Sequence, residues 1–572
     1  MRSLAIVRYA VRLPALSLLL LTAAQCGPKD GGTDLGGQNP FLESQGAAKG
    51  DTGYLNLAGL EAEVTLEADV KAPASRVVDA PLYLAQFAVT YLRRHGELYL
   101  QILAADETAP DRVEWLVDGK WIAGAEARSL APDKLTHFRM TAVNAVMLNG
   151  FATHVFEGQV LKAKVPVEPY RVMEQGGESC GDVKAHTHLS QSTYWYLWTP
   201  DKEGCTAPLQ DMTVTVDKLL PRNSPSYPEY DQLWADGELT AVVVFGQLDG
   251  GSNVKTDWNW QAADRFVTWL EAAGFAEQER APLGRRFAKT AGDRKETIDV
   301  YHPGIFNDVA DYAHLASWQR AVSEHEVVVY LGHSVLGTGS AFEQISYPPF
   351  YQVMFIGGCL GYEYYVLPVL KGKGGWDKVD VVSSILENEY GELNDAAGTF
   401  LARLMSGFEQ QGAASWQDIM AAVNTRIGHA HFGVSGARGN CFSPDGRVQC
   451  GQTPAAARVY GSKDSIAIPD GDAGGIGSTI VVPDSFKVGS MTVALDITHD
   501  YVGDLTVTLS HAGTTFAMRD QNGGAQKDVK GRFSVDAFRG LDAAGAWVLH
   551  LVDNEEGDTG TLDSWALEIN PQ

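Results

Sequence analysis

Between Glu238 and Ile427, short β-branched runs alternate with stretches of helical period, and this alternation constrains the fold more than any other feature of the chain. The runs are Thr240-Ala-Val-Val-Val-Phe245, Thr297-Ile-Asp-Val-Tyr301, Glu326-Val-Val-Val-Tyr-Leu-Gly332, Tyr351-Gln-Val-Met-Phe-Ile-Gly-Gly358 and Lys378-Val-Asp-Val-Val-Ser-Ser384. They are short and apolar, several are flanked by glycine, and they read as strands buried in a parallel sheet. Helical period over Asp257–Ala273, Val309–Ser323, Tyr362–Leu370, Asn394–Glu409 and Ser415–Ile427 supplies the crossovers. The pattern predicts a mostly parallel α/β domain over residues 236–430. In open sheets of this kind, ligands and chemistry sit beyond the carboxyl ends of the strands. Two of those ends carry reactive groups, His333 after one run and Cys359 after the next. A thiol and an imidazole brought together there are the minimum for a cysteine nucleophile with its base.

Cysteine usage points to the same thiol. The six cysteines are Cys26, Cys180, Cys205, Cys359, Cys441 and Cys450. Arg2, Arg8 and Arg12, the apolar run Leu13–Leu21 and the small residues Ala23-Ala24 have the form of an export signal over residues 1–25. Export implies an oxidising compartment. Cys180–Cys205 flank a compact polar segment and Cys441–Cys450 bracket a turn-rich loop, so both pairs suit disulfides. Leu21-Thr-Ala-Ala-Gln-Cys26 resembles a bacterial lipobox, with Gln25 departing from the small residue usual before the cysteine. The resemblance implies a lipid anchor on Cys26 and a cell-envelope lipoprotein; without the anchor, the expectation is secretion. With Cys26 so used, Cys359 is the cysteine left over.

Residues 26–50 are polar and glycine-rich and read as a flexible tether. Residues 51–235 carry alternating runs: Glu97–Leu103, Val113–Val117, His137–Ala142 and Thr193–Trp198, with one helical stretch, Leu84–Arg94. They predict a β-rich region, as a sandwich, and its position ahead of the α/β domain suits a pro-segment covering the site. Residues 431–461 read as a glycine-rich connector holding the Cys441–Cys450 loop, and 462–572 as an all-β module. The net charge of −26 argues against a phosphate-backbone ligand and disfavours attraction to anionic lipid, so no nucleic-acid partner is expected, and a membrane only through the lipid anchor.

The last module runs Ile468-Pro-Asp-Gly, then Val493-Ala-Leu-Asp-Ile-Thr-His499-Asp-Tyr-Val-Gly-Asp504, then Gly545-Ala-Trp547, and ends Gly557-Asp-Thr-Gly560-Thr-Leu-Asp-Ser-Trp565. This series closely resembles the P/Homo B domain that follows the catalytic domain of kexin-like proprotein convertases. It implies a jelly-roll sandwich accompanying a peptidase, and the even turn spacing agrees. Asp500, Asp504 and Asp558 at its turns are candidates for Ca²⁺, though a solvated turn is the plainer account of them; no other cofactor is expected.

An apolar strand ending in His, followed by a strand ending in Gly-Cys, resembles the caspase-like cysteine peptidases: gingipains, clostripain, legumain and caspases. The resemblance implies His333 as base, Cys359 as nucleophile, and backbone at Gly358 and Ser334 as oxyanion hole. Ser334 stands where that family usually has glycine. Gly357 stands where clostripain-like members carry an acid, so Asp249, Glu387 and Glu389 are the remaining candidates to line an S1 pocket. The reading is an exported endopeptidase acting on protein or peptide. A serine endopeptidase, the usual company of the C-terminal module, is the alternative enzyme. Its Gly-Thr-Ser-x-Ala and His-Gly-Thr motifs are absent from the sequence, and Gly332-His-Ser334-Val-Leu-Gly337 misses the nucleophile-elbow spacing. A non-catalytic surface-binding lipoprotein is the other alternative. His186-Thr-His188 and His429-Ala-His431 have zinc-compatible spacing but no His-Glu-x-x-His beside them.

Overall fold

The computed structural model describes residues 54–57, 59–95, 113–147, 158–182, 194–219, 226–249, 251, 253–279, 281, 283–292, 294–409, 413–444, 458–462, 465–521 and 527–571. The signal, the tether, Cys26, the run Glu97–Leu103, His186, His188 and Cys450 lie outside them. Among the described residues the chain is β-rich, with its strands gathered into four sheets. No helix there is long and apolar enough to cross a membrane.

The first sheet holds β1 (Leu60–Asp69), β2 (Val113–Val117), β3 (Lys120–Ala123), β4 (His137–Met147), β5 (Val160–Pro166) and β6 (Leu209–Leu219), in the order β3-β2-β4-β1-β6-β5. The expected sandwich is not found: this is one antiparallel sheet. Helix α1 (Ala80–Arg94) covers the face bearing Val64, Leu66, Trp115 and Val214. Alternation reports that one face is buried, not what buries it. The short helices α2 (Gly124–Ala127) and α3 (Pro169–Gln175) lie within this region. Thr193–Trp198, read as a strand, contains instead a 3-10 turn over Tyr194–Leu197. Trp198 then packs edge-on against Phe87 at 4.9 Å and donates its indole N–H to Lys164 O at 2.9 Å. The Cys180–Cys205 disulfide is formed.

After α4 (Tyr230–Leu233) comes the second sheet. Its strands are β7 (Glu238–Phe245), β8 (Ala276–Glu277), β9 (Arg285–Ala291), β10 (Arg294–Tyr301), β11 (Val327–Leu331), β12 (Gln352–Gly357), β13 (Val379–Ser384) and β14 (Phe432–Ser435). Their order is β14-β13-β12-β11-β7-β10-β9-β8, with the five central strands parallel. The helices are α5 (Trp258–Ala272), α6 (Leu315–Ser323), α7 (Gly361–Lys373), α8 (Tyr390–Glu409) and α9 (Trp416–Ile427). Alternate residues of each strand feed opposite cores. Val242, Val328 and Met354 join α6, α7 and the first sheet, whereas Val243, Val329 and Phe355 join α5, α8 and α9. Helix α6 begins at Leu315, later than its periodicity predicts, because Asp311 accepts the backbone N–H groups of Asn307 and His314 and holds a turn there. Strand β14 carries the sheet into the stretch read as connector, and Leu55 pairs with its Val434 through two backbone bonds of 2.8 and 2.9 Å.

The C-terminal strands are β15 (Arg458–Ser462), β16 (Ile466–Ile468), β17 (Ile476–Val482), β18 (Val488–His499), β19 (Leu505–His511), β20 (Thr514–Asp520), β21 (Val529–Ser534), β22 (Gly545–Asp553) and β23 (Gly560–Pro571). They form a five-stranded and a four-stranded antiparallel sheet around a core of their own that includes Trp547 and Trp565.

Candidate active site

Strand β7 passes its chain toward β10 on one side and β11 passes its chain to β12 on the other. The connections therefore diverge between β7 and β11, and open α/β sheets place their sites past the carboxyl ends at such a point. His333 lies there. Its Nε2 is 3.0 Å from the backbone carbonyl of Leu248, in the loop after β7. A carbonyl only accepts, so the ring proton sits on Nε2 and the lone pair is left on Nδ1. The loop that supplies this carbonyl is tied down by one buried carboxylate. Asp257 Oδ2 accepts the N–H groups of Leu248 and Asp249, both at 2.8 Å, while Oδ1 caps α5 through Asn259 N–H at 2.8 Å. Asn259 in turn donates to Gly246 O at 2.8 Å and Leu331 O at 2.9 Å. On the other side, Tyr330 OH donates to His333 O at 2.7 Å and Tyr365 OH donates to Ser334 O.

Cys359 follows β12, whose Gly357 is the register partner of Leu331 in β11. It is the free cysteine among the described residues and is half-buried. The two loops approach so closely that a Cβ on Gly358 would lie 3.1 Å from Ser334 Cβ and 3.3 Å from Ser334 N, so glycine keeps them together. The Cys359 thiol points to Asn388 O at 3.9 Å, and Asn388 Nδ2 donates to Gly358 O at 3.3 Å. Burial pushes the thiol above its ordinary value; the Glu387 charge adds to this and Arg93 opposes it. Val335, Leu336 and Leu360 have φ of 41°, 49° and 56°. Non-glycine residues rarely adopt that region, and such strain gathers at functional sites.

The expected pocket acids are placed differently from one another. Asp249 is exposed in the Leu248 loop and Glu389 is exposed at the start of α8. Glu387 is half-buried, with Oε1 3.2 Å from Arg93 Nη2. Burial works to raise its carboxyl, but the Arg93 charge, its own backbone N–H, the Tyr196 hydroxyl and the Arg94 charge together hold it below its ordinary value. Four neighbours were not read from the sequence: Arg93, Asp257, Asn388 and Tyr390. The Tyr390 ring stands edge-on to His333 at 6.0 Å. Asp257 carries a sequence signal as the residue before a helix; the other three have none.

The His429 and His431 rings stack at 3.6 Å, with His429 Nε2 3.1 Å from Glu392 Oε2. Burial, then the His429 charge, lowers His431 to about 4. Among the described residues no group of three or more His, Cys, Asp or Glu is placed to hold a metal. Asp500 is engaged by Lys527 and Thr559, each at 3.3 Å, and Asp504 offers its backbone carbonyl to Asn554. Among the described residues Asp500, Asp504 and Asp558 do not gather into a group of that kind.

Residues 488–569 match the family model of the proprotein convertase P-domain. The transglutaminase-activating metalloprotease of Streptomyces mobaraensis is 32% identical over 117 residues, 20% of this chain and 15% of that protein. A calcium-dependent protease of a Nostoc species is 28% identical over 101 residues, 16% of this chain and 15% of that protein. The chain thus matches about 15% of the length of these curated relatives. Among solved structures, the complex of Porphyromonas gingivalis RgpB pro- and mature domains is 10% identical, covers 58% of this chain and 71% of that chain, and gives a TM-score of 0.24. A likeness at that score carries no argument about fold or chemistry.

Proposed function

We propose that this chain is an endopeptidase with a cysteine nucleophile on a caspase-like α/β domain. One observation carries the reading: His333 and Cys359 follow matched positions of adjoining parallel strands, and Leu248 O accepts a hydrogen bond from the Nε2–H of His333. That leaves Nδ1 to accept the thiol proton as sulfur attacks a peptide carbonyl. The resulting imidazolium gives its proton to the departing amine, leaving a thioester that water hydrolyses. Ser334 N lies where the two loops meet, and in this reading its N–H and that of Cys359 serve the developing oxyanion.

Protease names among the relatives and the P-domain match support a peptidase acting on protein or peptide. The N-terminal β region is a pro-segment over the site, the chain is exported and Cys26 is its lipid anchor. Loss of fatty-acid incorporation in Cys26→Ser would support the anchor; unchanged incorporation would remove it.

The deciding experiment is labelling of purified protein with a library of peptidyl acyloxymethyl ketones, before and after limited proteolysis. Labelling lost in both Cys359→Ala and His333→Ala supports the dyad. Labelling by a serine-directed probe that persists in Cys359→Ala would sink it.

A further inference from the structure

The N–H groups of Ser334 and Cys359 belong to two peptide units, His333–Ser334 and Gly358–Cys359. Among the described residues no peptide bond is cis. In a trans unit the carbonyl and the N–H of the next residue lie in one plane and point opposite ways. Whatever grips the carbonyl of His333 therefore aims the N–H of Ser334. Whatever grips the carbonyl of Gly358 aims the N–H of Cys359.

Each of these carbonyls is gripped by one side chain. Tyr330 OH donates to His333 O at 2.7 Å. The Tyr330 ring is buried and stands edge-on to Trp318 at 6.0 Å, Phe306 at 6.2 Å and Phe342 at 6.3 Å, so the hydroxyl has a rigid mount. Burial raises this hydroxyl well above its ordinary value, so it keeps its proton and stays a donor. It can fold back toward His333 because residue 332 is glycine: a Cβ there would lie 2.6 Å from the Tyr330 oxygen. On the other unit, Asn388 in the loop after β13 donates Nδ2 to Gly358 O at 3.3 Å. A carbonyl only accepts, so the amide nitrogen is the end that faces Gly358. Asn388 Oδ1 is buried with no hydrogen-bond partner among the described residues. A buried amide kept for structure alone pairs both ends, whereas this one is held through its bond to Gly358. Beside it, Leu360 N–H donates to Leu386 O at 3.0 Å, so the turn carrying Cys359 is tied to the Asn388 loop on both sides.

The two peptide units also meet, since Ser334 N lies 3.3 Å from where a Cβ on Gly358 would stand. A hydrogen bond at a carbonyl polarises its unit and makes the N–H of that unit a stronger donor. We propose that Tyr330 and Asn388 are positioning residues of the oxyanion hole, each holding by its carbonyl the peptide unit whose N–H meets the oxyanion, a role that rests on the Cys359–His333 reading. Their loss should be felt where negative charge develops on oxygen and should leave the thiol itself unchanged.

The test uses the full-length chain with Tyr330→Phe, which keeps the ring in the core, and with Asn388→Leu, which keeps the volume. The peptide sequence that labels the parent best is prepared as an acyloxymethyl ketone and as an aldehyde. The thiol adds to either carbonyl carbon, and the carbonyl oxygen becomes the anion that the hole receives. Iodoacetamide alkylates the same sulfur by displacing iodide, with no oxyanion formed. Removing an oxyanion donor outright costs about 10²–10³ in rate, and a misaimed donor costs part of that. In each variant, ketone labelling at saturating probe should slow by about tenfold to a hundredfold, with the half-saturating concentration little changed. Aldehyde affinity should fall by a similar factor, and the iodoacetamide rate should stay at the parent's. Variants that label and bind like the parent would overturn the positioning role. Equal slowing with iodoacetamide would overturn it too, by placing the effect on the thiol or the fold. A parent chain that neither ketone nor aldehyde engages would overturn the peptidase reading along with it.

Discussion

Leu331 and Gly357 face each other across adjoining parallel strands, and each is followed two residues later by one member of the candidate dyad, His333 or Cys359. In the proposed mechanism the two residues act together. Removing a general base typically costs about 10²–10⁴ in rate. His333→Ala should therefore slow acyloxymethyl ketone labelling of Cys359 by about that factor, while alkylation of the same thiol in urea stays unchanged. Wild-type labelling rates in His333→Ala would remove histidine from the mechanism.

Asp257 acts on this base through Leu248. Its carboxylate satisfies two loop amides and caps α5, and it is buried. Loss of a cap costs about 0.5–2 kcal/mol and each orphaned buried amide about 1–3 kcal/mol. Asp249 is exposed and its amide can meet water, so Asp257→Ala should lose about 1.5–5 kcal/mol in urea unfolding, the cap and the buried Leu248 amide together. Its labelling of Cys359 should also slow at pH 7, because the carbonyl that fixes the imidazole tautomer is no longer held. A stability loss with an unchanged labelling rate would confine Asp257 to folding.

Much of the α/β scaffold was legible because its signals are local. Runs such as Val327–Leu331 and Val379–Ser384 are β-branched and short, and glycines permit the sharp departure to His333 and Cys359. The N-terminal region was less legible. Tyr194–Leu197 is apolar and aromatic like a strand, but its rings fill a gap beside α1 as a turn. Arg93 gave no signal at all. An arginine in the last turn of an amphipathic helix normally faces solvent, and its meeting with Glu387 is made by tertiary packing of distant segments.

Two carboxylates that bear on Arg93 of α1, Glu363 on α7 and Glu387 between β13 and α8, have opposite pH dependences. Burial raises Glu363 to about 7. A group whose pKa rises on closure favours the closed form below its free value, and that advantage is lost as pH rises to the raised value. For Glu363 the loss runs from about pH 4.5 to about 7 and amounts to about 3 kcal/mol at most. Burial works against Glu387, but Arg93 with the Tyr196 hydroxyl and a backbone N–H holds it low, so its contribution is present above its ordinary range and lost on acidification. Closure should be tightest near pH 4–5. Hydrogen exchange in α1 should be slowest there and speed up toward pH 8 beyond the intrinsic chemical rate. Protection independent of pH would exclude Glu363 from holding α1 in place.

The Cys180–Cys205 bridge closes a loop with a sequence separation of 25 residues. Chain-entropy arguments assign such a loop about 3–4 kcal/mol. Reduction, or Cys180→Ser with Cys205→Ser, should lower the melting of the N-terminal region by that amount. It should also raise the labelling of Cys359 in the uncut chain, because the turn carrying Tyr196 lies within that loop. Faster labelling without any loss of stability would assign the bridge a different role.

Leu55 has a consequence for how such a chain can be trimmed. β14 ends its sheet, and Leu55 takes up hydrogen-bonding groups that a neighbouring molecule would otherwise find, while Asn56 Nδ2 donates to Ala430 O at 2.7 Å and Phe432 O at 3.0 Å. Bare strand edges recruit other strands. A maturation cut before Tyr54 or beyond Asn56 with the stub retained keeps the edge guarded, whereas stripping residues 54–56 would trade activation for self-association.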